Sequence, residues 1–184
     1  WLVFLLGNDV VNCTILDATA GRTTFGHRFH HPDAIEISSP ETYADQLLNP
    51  GYVIADFDQR KAKVKAQVEE TAASLNGVIE MDDDLLEEVT ALNEWPIPVA
   101  GEFEERFLEV PLEALVPTMK STQKYFPAFN AKNELMNSLN TLAIIESNDF
   151  STIKASNERV VRPRLADAMF FWQQDVKKKL EVHI

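Results

Sequence analysis

The first forty residues alternate short apolar runs with turn-forming residues. Residues 2–6 and 10–16 are apolar and rich in β-branched side chains, and Gly7-Asn8-Asp9 separates them. Two apolar runs joined by a short glycine-containing turn are typical of a β-hairpin. Residues 23–30 alternate loosely and predict a third strand, and residues 35–37 predict a short fourth strand.

Helix-start signals follow the predicted strands. Ser39 precedes a proline, which is tolerated at the first helical position, so a helix is predicted that ends near residues 49–51. Asp56 caps a longer helix, with Gln59 completing a capping box, and Asp82 caps a third helix. The longer helix carries apolar residues at helical spacing, namely Phe57, Val64, Val68, Ala72 and Leu75.

The second half of the chain mixes strands and helices without a regular βαβ rhythm. Two prolines predict extended backbone near residues 96–98, and residues 107–110 predict a strand. Pro111 opens a helix that Pro117 should kink or shorten. The remaining predicted elements are strands at 124–129 and 139–146, a partly helical segment at 150–162, and a terminal helix at 163–184 that begins at Pro163 and leads toward a next domain.

This order of elements favours an α+β fold in which mainly antiparallel sheets pack against helices. A length of 184 residues fits a single domain, residues 1–184, that can bury a core without disulfides or metals. No apolar run approaches the roughly 20 residues that span a bilayer. The apolar residues 1–6 lack the features of a signal peptide, and because the chain does not begin with Met we expect a piece of a longer protein.

The net charge of −12 is concentrated in one part of the chain. Residues 80–113 carry twelve acidic side chains and a single base, Arg106, whereas residues 114–184 carry ten bases and seven acids. Such an acidic chain is not a free-standing nucleic-acid binder. A phosphate-bearing partner is expected to meet the last third and to avoid the middle.

Three of the four histidines lie close together, at His27, His30 and His31, beside Arg28. Imidazoles can bind a metal, but a histidine cluster between a strand and a turn is more often a hydrogen-bonded surface. Arg28 can instead hold a phosphate or a carboxylate through two hydrogen bonds. Cys13 is the only cysteine and has no neighbouring base, so the sequence predicts no nucleophilic catalyst and no metal site.

Cations and an aromatic ring cluster in two stretches of the last third. These are Lys120, Lys124 and Tyr125 in one stretch and Arg159, Arg162 and Arg164 in the other. Cations of this kind position a phosphate backbone, and an exposed ring stacks on an unpaired base. Alternatively, the aromatic residues belong to the core and the bases pair with the acidic segment 80–113, and composition alone favours this alternative.

Motifs spread in order along almost the whole chain resemble one family. They are Gly26-His27-Arg28-Phe29, residues 77–92, Glu94-Trp95-Pro96, residues 107–111, Met119-Lys120, and residues 123–127, 145–147 and 157–168. The chain resembles an internal part of the β subunit of bacterial glycyl-tRNA synthetase. This part is similar to the B3/B4 module of the phenylalanyl-tRNA synthetase β chain.

The resemblance implies a B3/B4-like layered α+β fold and a cytoplasmic enzyme that joins glycine to tRNA(Gly) with ATP. It implies that glycine activation and ATP use belong to a separate α subunit, so this fragment is expected to hold no cofactor. The implied partners are the α subunit, the remaining β-chain domains and tRNA(Gly), with no membrane. Editing is not carried over, because glycine has no smaller competitor to reject.

Resemblance and charge pattern together predict a non-catalytic module that helps to place tRNA. Six cations are expected to contact phosphates on one shared surface turned away from the acidic segment, with Tyr125 stacking on a base. These cations are Arg28, Lys120, Lys124, Arg159, Arg162 and Arg164. Two alternatives remain: a purely structural scaffold held by internal ion pairs, and an editing-type pocket around His27, Arg28 and His30.

Overall fold

The computed structural model describes residues 1–143 and 150–177. The α-helices within these residues are α1 (Tyr43–Leu48), α2 (Phe57–Ser74), α3 (Asp83–Leu92), α4 (Leu112–Pro117) and α5 (Phe150–Lys177). A 3-10 helix at Pro40–Thr42 leads into α1, another at Glu105–Glu109 precedes α4, and a π-helical turn at Thr118–Thr122 follows α4.

The strands are short and form several small sheets. Those within the described residues are β1 (Leu2–Val3), β2 (Leu5–Leu6), β3 (Asp9–Val10), β4 (Thr14–Ile15), β5 (Ala18–Gly21), β6 (Thr23–Phe25), β7 (Ala34–Glu36), β8 (Val78–Ile79), β9 (Ile97–Glu102), β10 (Ala128–Phe129) and β11 (Ser138–Ala143). One sheet has the order β1-β5-β4, and the others are the pairs β2-β3, β6-β7, β8-β10 and β9-β11. All of these pairings are antiparallel except β1 with β5. The predicted α+β class is confirmed.

Residues 1–55 contain β1 to β7 and α1, and we call them the first lobe. The predicted hairpin forms between β2 and β3, with Leu5 opposite Val10 and Gly7 at a φ of 58° in the turn, where only glycine is free of strain. Residues 14–15 were expected in the same hairpin but pair with β5 in a second one. The predicted third strand stops at Phe25, because the chain turns at residues 28–30.

The segment after β6 is fixed by a close approach of two backbones. The amide of His27 donates to the carbonyl of Gly51 over 2.7 Å. A Cβ atom on Gly26 would lie 2.4 Å from the same carbonyl oxygen, well inside the distance that real side chains reach. Gly26 therefore lets the loop between α1 and α2 lie directly against the end of β6.

Residues 56–143 together with α5 form the rest of the described chain, and we call them the body. Both predicted caps are present: the Asp56 carboxylate accepts from the Gln59 amide, and the Asp82 carboxylate accepts from the Leu85 amide. The longest sheet pairing runs from Ile97 opposite Ala143 to Glu102 opposite Ser138. Helices α2 and α5 both pack against β9.

Two clusters of buried apolar side chains make up the core of the body. The first lies between α2, α3 and the short β8-β10 pair and contains Val64, Val68, Ala72, Ile79, Leu85, Leu86, Val89, Phe126 and Ala128. The second lies under α4 and α5 and contains Phe103, Phe107, Val110, Leu115, Met119, Tyr125, Leu135, Leu139, Val161 and Leu165. The helical stripe predicted for α2 points into the first cluster, apart from Phe57 and Leu75.

The strand predicted at residues 107–110 is wrong, because this segment is mostly a 3-10 helix. The amide of Phe107 donates to the carbonyl of Glu104, and the amide of Val110 donates to the carbonyl of Phe107. The two apolar residues are three positions apart, so their side chains lie on the same side of a 3-10 turn. Both side chains are buried. Three apolar residues among four do not distinguish this turn from a strand.

The prediction that Pro163 begins a terminal helix is also wrong. Helix α5 runs through Pro163 from Phe150 to Lys177. Proline removes one N–H from the helix, so the carbonyl of Arg159 loses its usual partner. The helix persists because Val161 and Leu165, on either side of the proline, are fully buried in the same cluster. Pro117, as predicted, marks the end of its α-helix, and the chain continues as a π-helical turn.

Some predicted features lie outside the described residues. They are the last residues of the predicted strand 139–146, the motif at 145–147, and residues 178–184 of the predicted terminal helix. The division of the chain into a single domain, with its end leading toward a next one, stays a prediction.

Candidate nucleic-acid interface

Lys120 and Lys124 lie at the turn that follows α4, facing the start of α3. The Nζ atom of Lys120 is 3.0 Å from a carboxylate oxygen of Asp82, and the Nζ atom of Lys124 is 2.7 Å from one of Glu88. The two lysines and their acidic partners line one small groove of about 240 Å³. Both cations are therefore engaged with the acidic segment rather than turned away from it.

Asp82 has two roles in this groove. Its carboxylate caps α3 by accepting from the Leu85 amide over 3.0 Å, and it accepts from the ammonium group of Lys120. The pKa of Asp82 is lowered from its ordinary value, first by the hydrogen bond from the Leu85 amide and second by that from Lys120. The charged form of Asp82 thus holds the π-helical turn against the N-terminal end of α3.

Arg162 is engaged with a second part of the acidic segment. Its Nε atom donates to a carboxylate oxygen of Glu104 over 2.6 Å. The pKa of Glu104 is lowered, first by a hydrogen bond from its own backbone amide and further by Arg162. One helical turn earlier, the carboxylate of Glu158 accepts from the backbone amide of Glu102, so α5 is tied to the end of β9 at two points.

Arg159 and Arg164 are exposed, and neither forms an ion pair with another described residue. At about 100° per helical residue, Arg162 and Arg164 project roughly 200° apart around α5, on opposite flanks of the buried side. Arg159 lies about 60° from Arg162. The three arginines of this helix therefore do not share one surface.

Tyr125, predicted as a stacking group, is a core residue instead. It is 3% exposed and belongs to the cluster under α4 and α5. Its hydroxyl donates to the carbonyl of Asn157 over 3.4 Å, and burial raises its pKa to about 12. The ring has no face open to a base. The alternative that composition favoured, with aromatic residues in the core and bases paired with the acidic segment, describes Tyr125, Lys120, Lys124 and Arg162.

His27 shapes the turn after β6. Its Nδ1 atom accepts from the amides of Phe29 and His30, each over 3.3 Å, so it acts as a turn-forming group. The pKa of His27 is lowered, first by burial and then by the neighbouring His30, while Glu94 opposes the shift. A neutral imidazole whose acceptor nitrogen is already bonded to the backbone is not positioned as an acid or base.

Arg28 projects from this turn into solvent. It lines a groove of about 580 Å³ whose wall also includes Glu94, and its guanidinium carbon is 6.0 Å from the ring centre of Phe29. His27 and His30 do not line this groove. Arg28 and the two histidines of the editing-type alternative therefore do not line a common groove.

The six predicted cations are therefore distributed over three places, at the α3 groove, along α5, and beside the turn after β6. The expectation of a single shared surface opposite the acidic segment is wrong, since three of the cations bind carboxylates of that segment. Opposite charges meet because the fold brings α3, and the segment that leads into the 3-10 helix at Glu105–Glu109, against the elements that carry the bases. Charge counted along the sequence does not contain this information.

Sequence reasoning missed a set of rings that meet around Tyr52. Tyr52 lies 5.3 Å from His30 and 5.4 Å from Trp95, measured between ring centres. The Nζ atom of Lys63 lies 4.0 Å from the ring centre of Trp95, as in a cation–π contact. These residues come from separate segments, and no spacing in the sequence links them.

The residues that the structure describes form neither a cluster of metal ligands nor a membrane-spanning helix. No group of three or more histidine, cysteine, aspartate or glutamate side chains is arranged to hold a metal ion. None of the helices described here combines the length and the apolar character needed to cross a bilayer.

Comparisons with known proteins agree on one family. The family model described as "Glycyl-tRNA synthetase beta subunit" matches residues 1–184. The chain is 51% identical over 180 residues to the glycine–tRNA ligase beta subunit of Hahella chejuensis and 51% identical over 181 residues to that of Azotobacter vinelandii. The corresponding protein of Pseudomonas fluorescens is 50% identical over 181 residues. Each match covers 98% of this chain and 26% of the relative, so the chain spans about a quarter of these proteins.

Proposed function

The chain belongs to the glycyl-tRNA synthetase beta subunit family, and on that premise we propose that it is a non-catalytic module of such a subunit. In the intact αβ enzyme, glycine is joined to tRNA(Gly) with ATP in the cytoplasm, and the α subunit activates glycine. The module supports the architecture of the subunit and contributes a small number of phosphate contacts to tRNA placement.

A non-catalytic role fits the chemistry of the most polar cluster. His27 uses its acceptor nitrogen to hold the backbone, and burial favours its neutral form. The groove that Arg28 lines includes neither histidine. These contacts disfavour the editing-type pocket, because hydrolysis needs a base that is free to activate water near the substrate.

The single observation that carries the proposal is the division of the six cations. Lys120, Lys124 and Arg162 bind carboxylates of the acidic segment: the two lysines hold the π-helical turn and the residues after it against α3, and Arg162 holds α5 against the segment between β9 and the following 3-10 helix. Arg28, Arg159 and Arg164 are exposed and form no ion pair with a described residue. We assign the first three to architecture and the second three to phosphate contacts.

The test replaces Arg159 and Arg164 together by Ala in the intact αβ enzyme. We expect weaker binding of tRNA(Gly) at low salt, and a slope of log Kd against log salt that falls by about 0.7–0.9 for each lost phosphate contact. Lys132→Ala is the matched control, since Lys132 is an exposed cation at the turn between β10 and β11. Unchanged affinity and slope in the double variant would show that this pair does not touch tRNA.

A scaffold without tRNA contacts is the second candidate, and the three ion pairs favour it. The same double variant separates the two functions, because a scaffold role of α5 would alter αβ assembly rather than the salt dependence. Assembly is measured by sedimentation of the mixed subunits. Lys124→Ala, which breaks the pair with Glu88, is expected to lower stability and to leave the salt slope of tRNA binding unchanged.

A further inference from the structure

Five aromatic rings form a continuous row that runs from the first lobe onto the body. In order they are Phe29, His27, His30, Tyr52 and Trp95, with successive ring centres 5.9, 4.6, 5.3 and 5.4 Å apart. Three separate segments supply them: the turn after β6, the loop between α1 and α2, and the connection between α3 and β9. Rings at these spacings interact favourably and brace one another.

The row contains two groups that are unfavourable for the fold itself. Tyr52 has a φ of 54°, a left-handed conformation that is unusual for a bulky side chain. The Nε2 atom of His30 is buried without a hydrogen-bond partner among the described residues. Strained backbone and unpartnered polar atoms are found preferentially at functional sites. Stability alone does not explain why the chain holds Tyr52 in this position.

The row is open to solvent and has cations at both ends. Phe29 and Tyr52 are each 42% exposed. Arg28 approaches Phe29 at one end, and Lys63 lies over Trp95 at the other. Partial burial lowers the pKa of Lys63, consistent with an ammonium group seated against the ring.

We propose that this row is a stacking platform for one unpaired nucleotide of tRNA, with Tyr52 as the stacking ring and with Arg28 and Lys63, at the two ends of the row, facing phosphates of the neighbouring nucleotides. The proposal rests on the proposed role in tRNA placement and names a site within it. Every base offers a face to an aromatic ring, and single-stranded RNA is bound in this way by Phe, Tyr, Trp and His. The flanking cations favour a nucleotide over an apolar segment of protein, which would leave them unpaired.

The test uses tRNA(Gly) transcripts in which each unpaired nucleotide is replaced in turn by an abasic one. Against the wild-type αβ enzyme, one replacement is expected to weaken binding about five- to a hundredfold, the range typical of one stacked base. Tyr52→Gly removes the ring and accepts the left-handed backbone, so the enzyme should fold while binding intact tRNA more weakly by the same factor. The abasic transcript should bind Tyr52→Gly with no additional loss.

Two further variants keep the test decisive. Tyr52→Phe retains a ring and should bind like the wild type, whereas Tyr52→Leu should resemble Tyr52→Gly. The salt slope should stay unchanged in all three, because stacking neutralises no phosphate. Phe170→Leu is the matched control, since Phe170 is a 56% exposed ring on α5, outside the row.

The platform is overturned if Tyr52→Gly binds intact tRNA(Gly) within twofold of the wild-type affinity. It is also overturned if every abasic transcript binds the wild-type enzyme with the same loss of affinity. Loss of αβ assembly in Tyr52→Gly, without an effect of any abasic position, also overturns it and identifies the row as a protein contact. The proposed role in tRNA placement is judged separately, by the salt slope of the Arg159 and Arg164 double variant.

Discussion

The first lobe and the body differ in where their apolar side chains lie. In the body, two clusters of fully buried side chains are enclosed by α2, α3, α4 and α5. In the first lobe the corresponding cluster consists of Ile35, Ile37 and Leu47, whereas Trp1, Leu6 and many other large apolar side chains are exposed. Burial of apolar surface is the main stabilising term in folding, so the body supplies most of the stability and the lobe presents surface.

The lobe is held in place by its connection to the body. The Ile54 amide donates to the carbonyl of Glu94, and the Arg60 side chain donates to the carbonyls of Ile54 and Thr90. These bonds join the loop that carries Tyr52 to the start of α2 and the end of α3. The ring row thus lies across the boundary between a rigid support and a lightly packed lobe, as suits a site that binds a ligand from outside.

The largest expected effect is in the body, at Phe126. Its side chain is fully buried in the cluster between α2 and α3. Phe126→Ala should lower the free energy of unfolding by about 3–5 kcal/mol, because the lost burial and the remaining cavity both destabilise. Urea denaturation of the 184-residue chain measures this loss. Leu6→Ala, at a 76% exposed residue of the lobe, should change it by less than about 0.5 kcal/mol. Similar losses for the two variants would remove the contrast between the regions.

The second largest effect on stability is expected at Gly26, where the packing of the first lobe is tight. A Cβ atom there would lie 2.4 Å from the carbonyl oxygen of Gly51, so Gly26→Ala must push the two backbones apart. Overpacking of this kind costs about 1–3 kcal/mol. Hydrogen exchange of the His27 amide, which donates across the same contact, should accelerate while amides of α3 remain protected.

Gly21→Ala is the matched control for this prediction. A Cβ atom on Gly21 would meet nothing within 4 Å, and Gly21 is in the same lobe. Exchange at His27 should be unchanged in this variant. If amides of the lobe and of α3 were to accelerate together in Gly26→Ala, the lobe would unfold with the body as one unit and the distinction between them would fail.

Local signals in the sequence predicted the parts of the fold that neighbouring residues determine. Asp56 and Asp82 cap their helices as expected, because a cap depends on a side chain and an amide three residues away. Pro163 was misjudged because distant contacts decide its role: burial of Val161 and Leu165 outweighs the lost hydrogen bond. The 3-10 helix at Glu105–Glu109 was missed because its apolar spacing also fits a strand.

The candidate site was less predictable than the fold, since it depends on contacts between remote segments. Charge counting identified the acidic segment but not that Asp82, Glu88 and Glu104 bind the cations themselves. Tyr125 looked like a stacking ring because it follows a lysine, yet its side chain faces the core. Tyr52 and Trp95 are 43 positions apart in the sequence and meet only after the lobe docks on the body.

A smaller effect on stability is expected at Asp82, whose charge helps to hold two elements of the body together. Because the pKa of Asp82 is lowered in the folded chain, its charge stabilises the fold above the ordinary value of 3.8, and this contribution is lost as the pH falls through the lowered pKa. Asp82→Asn keeps the helix cap but removes the charge. Near neutral pH we expect it to cost about 0.3–1 kcal/mol, reduced by solvent screening.

This difference should vanish at a pH well below the ordinary carboxyl range, where the wild-type side chain is neutral as well. Urea denaturation of both proteins across the acid range measures it. Asp84→Asn is the control, because Asp84 lies in the same first turn but forms no ion pair with a described residue. A constant difference between wild type and Asp82→Asn at every pH would mean that the charge of Asp82 does not stabilise the body.

The smallest expected effect is at the pair of Lys124 and Glu88, whose side chains are 30% and 50% exposed. A double-mutant cycle with Lys124→Ala and Glu88→Ala should give a coupling of about 0.2–1 kcal/mol, because water screens the pair and fixing two long side chains opposes it. The coupling should shrink as salt is added. A salt-independent coupling above this range would show that the acidic segment supports the body as strongly as its apolar clusters.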